Sequence, residues 1–260
     1  MDFELTQDQQ IFYDSVKRFA VNELADGAVD RANSDGYLWD IAARFAEMGL
    51  LGITIPESKG GIGGSLTDAV LAIQAIAEVC PRSADVVQAG NFGAIRTFAE
   101  YANADQLARF LPDLLAGKGV MSVGMSEPDA GSSVTELKTS ATPDGDDFLV
   151  NGSKVFGTNS GDAEVFLIYL RFGPGTEGIG SALIEKGTAG FEIGPGYRYM
   201  NGESWSPLYF DNCRIPKASI LLGSGGFKKQ ISGFNIERLG NAARAVAVAS
   251  CRGERRRPAT

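Results

Sequence analysis

The sequence predicts an α+β protein: an N-terminal all-α domain over residues 1–119, a middle antiparallel β-barrel or sandwich domain over 120–222, and the start of a C-terminal helical domain over 223–260. Three observations carry this. Apolar residues recur at helical spacing as far as Gly119, alternate with period two between turn residues from Val120, and return to helical spacing after Gly226. Strands that follow one another without intervening helices specify a barrel or sandwich, not a doubly wound parallel sheet.

Each element has its own signal. Thr6 followed by Gln9 forms a capping-box pattern, and Ile11, Phe12, Val16, Phe19, Ala20 and Leu24 make one apolar stripe, which predicts a helix over 6–25. Leu38, Ile41, Phe45 and Met48 predict a second that ends at Gly49; Val70, Ile73, Ile76 and Ala77 predict a third that ends before Pro81. Helical segments follow over 83–100 and 104–116, the latter capped by Asn103. The glycine-rich stretch GITIPESKGGIGG is read as a loop and a candidate lining of a site. KTSAT, DFLVNGSKVF, AEVFLIYLRF, GSALIEK and PLYFDNCRIP read as strands, separated by PDGDD, NSGD, GPGTEG and YMNGES. The last helical pattern ends near Ser250, and CRGERRRPAT reads as a basic, unpatterned tail.

Composition excludes several functions. The net charge of −8 offers nothing to a nucleic-acid backbone. The longest strongly apolar run, VFLIYL, is far too short to span a membrane, and the acidic N-terminus is unlike a signal peptide, so a soluble cytoplasmic protein is expected. Cys80, Cys213 and Cys251 are few and far apart, which argues against a disulfide framework or a zinc site. The chain has no histidine, so catalytic triads and dyads that need one are excluded, and proton transfer falls to carboxylates, Lys, Tyr, Cys or a cofactor.

Most motif matches dissolve on inspection. Gly173, Gly175 and Gly178 imitate a nucleotide fingerprint, but a strand follows where a Rossmann turn requires a helix, so GPGTEG is read as a hairpin turn. Asn151-Gly152-Ser153 is read as a turn, and Arg252, Arg255, Arg256 and Arg257 as a solvated tail. GMSEPDAGSS at 124–133 is different. A strand that ends at Gly124-Met125-Ser126 delivers amides and a hydroxyl, and Ala130 to Ser133 add donors with no basic side chain, a cluster suited to the polar edge of a flavin or a pyrophosphate. The alternative is a plain hydrogen-bonded turn whose acids face solvent.

The order LTQDQQIFYDSVKRFA, MSEPDAGSS, NGSKVFGTNSG, PLYFDNCRIPKASILLG and GFKKQISGFNIERLGNAA resembles the acyl-CoA dehydrogenase family over almost the whole chain. The resemblance implies FAD as cofactor, with Met125 and Ser126 at the flavin ring and Ser132 at the pyrophosphate. It matches the family's Trp-x-Thr signature to Phe156-Gly157-Thr158: Phe156 keeps an aromatic face for the flavin without an indole N–H, and Thr158 bonds near N5. Ser133 stands where an aspartate is usual. The implied reaction is α,β-dehydrogenation of an acyl-CoA thioester to a trans-2-enoyl-CoA, with hydride transfer to FAD. Of the family's two positions for the catalytic base, Glu237 matches the one at the start of the first C-terminal helix; the other reading of Glu237 is a surface glutamate beside Arg238. The resemblance also implies an acyl-CoA substrate, an electron-transfer flavoprotein or other acceptor as partner, and a homo-oligomer if the C-terminal domain is complete, and it implies a chain truncated in that domain. A flavin-dependent monooxygenase of the same fold and a non-catalytic partner subunit or inactive fragment are the alternatives.

Overall fold

The fold follows the expected change of period. The computed structural model describes residues 4–255. Seven helices come first: α1 (Gln7–Glu23), α2 (Ala28–Asn33), α3 (Trp39–Glu47), α4 (Leu66–Ala77), α5 (Pro81–Ala89), α6 (Ala94–Tyr101) and α7 (Ala104–Leu115). Nine strands follow: β1 (Met121–Gly124), β2 (Ser140–Asp144), β3 (Asp147–Thr158), β4 (Val165–Arg171), β5 (Ile179–Glu185), β6 (Phe191–Ile193), β7 (Tyr197–Arg198), β8 (Ser204–Pro216) and β9 (Ile220–Leu222). The last element is α8 (Phe227–Arg255).

The helices begin and end where side chains satisfy their terminal groups. Thr6 and Gln9 form a reciprocal capping box on α1, as do Ser65 and Asp68 on α4 and Asn103 and Gln106 on α7. α3 stops at Gly49, whose φ of 69° lies in the left-handed region. α4 is apolar on nearly every side and lies at the centre of the helical half, packed by α1, α5 and α8. The single helix expected over 83–100 is two, because Gly90 closes α5 and Gly93, at φ 63°, turns the chain into α6. α2 had no periodic signal.

The strands form one nine-stranded sheet, ordered β6-β8-β3-β2-β4-β5-β9, with β1 on β4 and β7 on β8. It is antiparallel except for β1 with β4 and a single Ser140–Arg171 bridge between β2 and β4. β4 thus gives one edge first to β1 and then to β2. Beyond β1, the Ser126 carbonyl accepts a hydrogen bond from the Val155 amide of β3 at 2.9 Å. That bond closes β1, β4, β2 and β3 into a ring. Asn151-Gly152 is not a turn: it lies within β3, opposite a bulge that puts an extra residue into β8, and Asn151 Oδ1 accepts from the Asn212 amide at 2.8 Å. A Cβ at Gly152 would lie 2.7 Å from Thr139 Cα, so glycine serves close strand approach here. GPGTEG does join β4 to β5 as a hairpin.

Helices and sheet share one apolar core. It runs from Phe45 and Ile73 through Phe92 and Val120 to Phe166, Ile168 and Leu208, and on to Ala243 and Ala247 of α8. α8 continues helically through Cys251 to Arg255, past the expected tail boundary; Arg256 and Arg257 lie outside the described residues. Among the described residues no helix is long and apolar enough to cross a membrane.

Gln106 ties the two halves together. Its Oε1 accepts from the Asn103 amide at 3.1 Å, while its Nε2 donates to the carbonyls of Ala218 at 2.9 Å and Ile220 at 3.2 Å beside β9. Asn103→Ala, which removes the cap alone, is expected to cost about 1 kcal/mol in urea unfolding, and Gln106→Ala, which also removes the donor to the part-buried Ala218 and Ile220 carbonyls, about 2 kcal/mol. Equal losses would show that the tether to β9 contributes nothing.

Candidate active site

The polar turn at 124–133 is built around a buried ion pair. Glu127 and Ala130 exchange backbone hydrogen bonds at 3.1 Å each across Pro128-Asp129, which makes a tight turn. Asp129 faces solvent, but Glu127 does not: its side chain is 7% exposed and meets Lys154 Nζ, fully buried on β3, at 2.8 Å. Glu127 Oε1 also accepts from the Thr139 amide at 2.9 Å and its hydroxyl at 2.6 Å, and Oε2 from the Lys138 amide at 2.6 Å. Lys154 completes the link by donating to the Met125 carbonyl at 3.3 Å. Burial drives the Glu127 carboxyl upward, but the Lys154 charge and these hydrogen bonds outweigh it and hold it below the ordinary carboxylate range. Burial lowers the Lys154 ammonium to about 8, against the opposing pull of Glu127.

This pair fixes the register between the turn and β3. With the Met125 carbonyl on Lys154, the Ser126 carbonyl on Val155, and the Glu127 and Ala130 amides paired with each other's carbonyls, the turn has the Ser126 hydroxyl left to offer. Just beyond Val155, β3 carries one extra residue opposite β8, between Lys154 and Gly157. The bulge puts Phe156 at φ 61°, sparsely populated for a bulky residue, and leaves the ring 57% exposed. Phe156 leans on Trp205 at 4.7 Å between ring centroids, and Trp205 stacks in turn on Tyr197 at 4.8 Å. The Thr158 carbonyl accepts from Ser122 Oγ at 2.8 Å.

A cavity of about 310 Å³ opens between this bulged strand, the corner joining α5 to α6, and α8. Met125, Ser126, Phe156 and Thr158 line it, and so does Glu237. Its floor is apolar, with Phe92, Met121, Val123 and Leu167; its opposite side is polar, with Asp85, Gln88, Glu203, Asn241 and Arg244. Ser132 does not line the cavity; it is exposed in the bend after Ala130, as is Ser133. The loop over 52–64 does not line it either. Its glycines pack against the helical half, where a Cβ at Gly52 would meet Leu115 Cδ2 at 2.5 Å.

Glu237 is half-buried and faces inward. Burial raises its carboxyl to about 7; a hydrogen bond from Gln88 opposes the rise and Glu203 adds to it. Arg238 projects outward over the Phe234 ring at 4.9 Å and bonds Asn235, so the neighbouring cation does not pair with Glu237. Behind the cavity Arg82 pairs with Asp85 at 3.3 Å and donates to the Gly36 carbonyl at 2.7 Å, while Arg244 contacts both Asp85 and Glu203.

Sequence reasoning missed Gln88, Gly93, Glu203, Asn241 and Arg244. Asn241 and Arg244 follow Glu237 by four and seven residues, so the helical face alone contains them. Gln88, Gly93 and Glu203 reach the site only by tertiary packing. Asn159 also lines the cavity; it is 5% exposed, and its Oδ1 has no protein partner among the described residues.

Comparison with known proteins agrees with this architecture. The acyl-CoA dehydrogenase N-terminal domain model matches residues 6–118 and the middle domain model residues 122–213. An acyl-CoA dehydrogenase from Bacillus subtilis is 30% identical over 94% of this chain and 66% of its own. The mitochondrial isovaleryl-CoA dehydrogenase of Arabidopsis thaliana is 33% identical over 95% of this chain and 61% of its own. The structure of butyryl-CoA dehydrogenase from Megasphaera elsdenii superposes with a TM-score of 0.87 at 28% identity, over 96% of this chain and 68% of that one. The chain therefore spans about two thirds of the length of the relatives it matches.

Breaking one side of the buried pair strands the other charge. Lys154→Met is expected to cost about 3–5 kcal/mol in denaturant unfolding, and adding Glu127→Gln, which removes the stranded charge while keeping one of the two acceptor oxygens used by the Lys138 and Thr139 amides, should recover part of that loss. A double variant whose loss equals the sum of the single losses would show that the two side chains are not coupled.

Proposed function

The chain belongs to the acyl-CoA dehydrogenase family, and on that premise we propose that the cavity serves FAD-linked α,β-dehydrogenation of an acyl-CoA thioester. The observation that carries the reading is the convergence of Glu237, from α8, with Met125, Ser126, Phe156 and Thr158, from the sheet, on one cavity. The residues present fit a flavin ring: an exposed aromatic face at Phe156, neutral donors at the turn, and the buried unpartnered acceptor Asn159 Oδ1. Met125, Ser126, Phe156 and Thr158 would hold the ring. Ser132, outside the cavity, would meet the pyrophosphate. When bound, FAD supplies the two-electron acceptor for the hydride that leaves the β-carbon.

The remaining work falls to the chain. Glu237 takes the α-proton as general base; the C–H pair left on the α-carbon and the departing β-hydride together account for the new double bond of a trans-2-enoyl thioester. With its carboxyl raised to about 7 by burial, Glu237 is a stronger base than an exposed glutamate. Phe92, Met121, Val123 and Leu167 keep water from the reacting carbons. The thioester carbonyl, not a protein metal, acidifies the α-proton in this reading. Reoxidation by an electron-transfer flavoprotein or another acceptor, a cytoplasmic location and assembly into a homo-oligomer complete the proposal.

The test is optical. The purified chain given FAD should turn yellow, and anaerobic acyl-CoA should bleach it. Glu237→Gln should bind FAD as before but reduce it ~10²-fold or more slowly. Bleaching at the parent rate would remove Glu237 from the mechanism, and failure of the parent chain to take up FAD would overturn the flavin reading.

A further inference from the structure

We propose that Gln88 is the positioning residue for the Glu237 carboxylate, and that Gly93 and Gly240 are the two clearances that allow the contact. The proposal rests on the reading of Glu237 as the base. Gln88 sits on α5 and is 5% exposed. Its Nε2 donates to Glu237 Oε1 at 2.5 Å and to Asn241 Oδ1 at 3.0 Å, so one amide grips the same face of α8 on two successive turns. The glutamate terminal torsion is broad when free. A donor fixed on Oε1 holds it and leaves Oε2 to receive a proton.

Two glycines make room for this grip. A Cβ at Gly93, where φ is +63°, would lie 2.8 Å from Glu237 Oε2 and 3.3 Å from its Cδ. A Cβ at Gly240 would lie 2.8 Å from Gln88 Cδ and 3.1 Å from its Oε1. Glycine inside a helix is destabilising by up to ~1 kcal/mol relative to alanine. α8 therefore gives up local stability at the one position where the Gln88 amide crosses it.

Several charged groups stand around Glu237. From the sheet side comes Glu203; from α5 comes Asp85, paired with Arg82 and Arg244; on α8 itself Arg244 is held by Asp85 and Glu203, and Arg238 points outward. None of these groups hydrogen-bonds Glu237 among the described residues, and Gln88 does. Burial raises the carboxyl to about 7, and the Gln88 bond, which favours the ionised form, opposes that rise. Removing the donor while keeping the volume must raise the carboxyl further.

The experiment is a carboxyl ¹³C NMR titration of the cofactor-free chain labelled at glutamate, with Glu237→Gln assigning the resonance. The parent should titrate near 7, and Gln88→Met should move the midpoint upward by about one pH unit, since a hydrogen bond to a charged group is of that size. Gly240→Ala leaves both partners intact and favours the helix, yet crowds the Gln88 amide; it should raise the midpoint in the same direction. Its readout also stands should Gln88→Met fail to fold. A parent midpoint near 7 that neither variant moves overturns the role of Gln88 and leaves Glu237 as the base. A parent midpoint in the ordinary carboxylate range overturns the base reading and this proposal with it.

Discussion

The site depends on a buried charge pair, Lys154 with Glu127. Two ions taken from solvent each lose several kcal/mol of hydration, and their attraction repays that only if the remaining lone pairs are satisfied. Glu127 meets the condition, with three donors on Oε1 and one on Oε2. The consequence is positional. The pair clamps the turn onto β3 two residues before the bulge that turns Phe156 outward, so the Ser126 hydroxyl and the Phe156 ring are held in one register. A turn that rested on backbone bonds alone would leave that register to the single Val155–Ser126 bond.

The second constraint comes from the opposite wall. α8 packs on α4, α5 and α6, so the residue it offers to the cavity is set by helical phase and by the contact with Gln88. The sheet and α8 approach the cavity from different sides and meet through the shared core that runs from Phe92 to Leu208. The carboxylate is partly desolvated by this approach, and that desolvation is what raises its basicity.

The fold was largely legible in the sequence, because period and punctuation are local signals. The Thr6–Gln9 box, the Asn103 cap and the strand runs AEVFLIYLRF and GSALIEK stand as read, while the Gln106 half of the Asn103 box was not read. Local reading failed where one glycine had two meanings. Gly93 reads as tolerated inside a helical pattern and in fact breaks it, while Asn151-Gly152 reads as a turn and in fact spans a bulge. In the site, the residues matched by the family resemblance lie where their elements converge, apart from Ser132. What stayed hidden was the support: Lys154 falls on the buried face of β3 with Val150, an inward lysine in an alternating strand, and nothing in the sequence says that Glu127 awaits it. Gln88 reaches Glu237 across 149 residues of chain, a distance no local pattern reports.

If the clamped turn, the bulge of β3 and the inner face of α8 form the proposed flavin site, bound FAD protects all three together. Amide hydrogen exchange of the chain with and without FAD tests this directly. Slower exchange on FAD binding is expected at residues 124–127, 155–159 and 233–241 together, with α2 and α3 unchanged. Protection confined to other segments, or absent while FAD is bound, would contradict it.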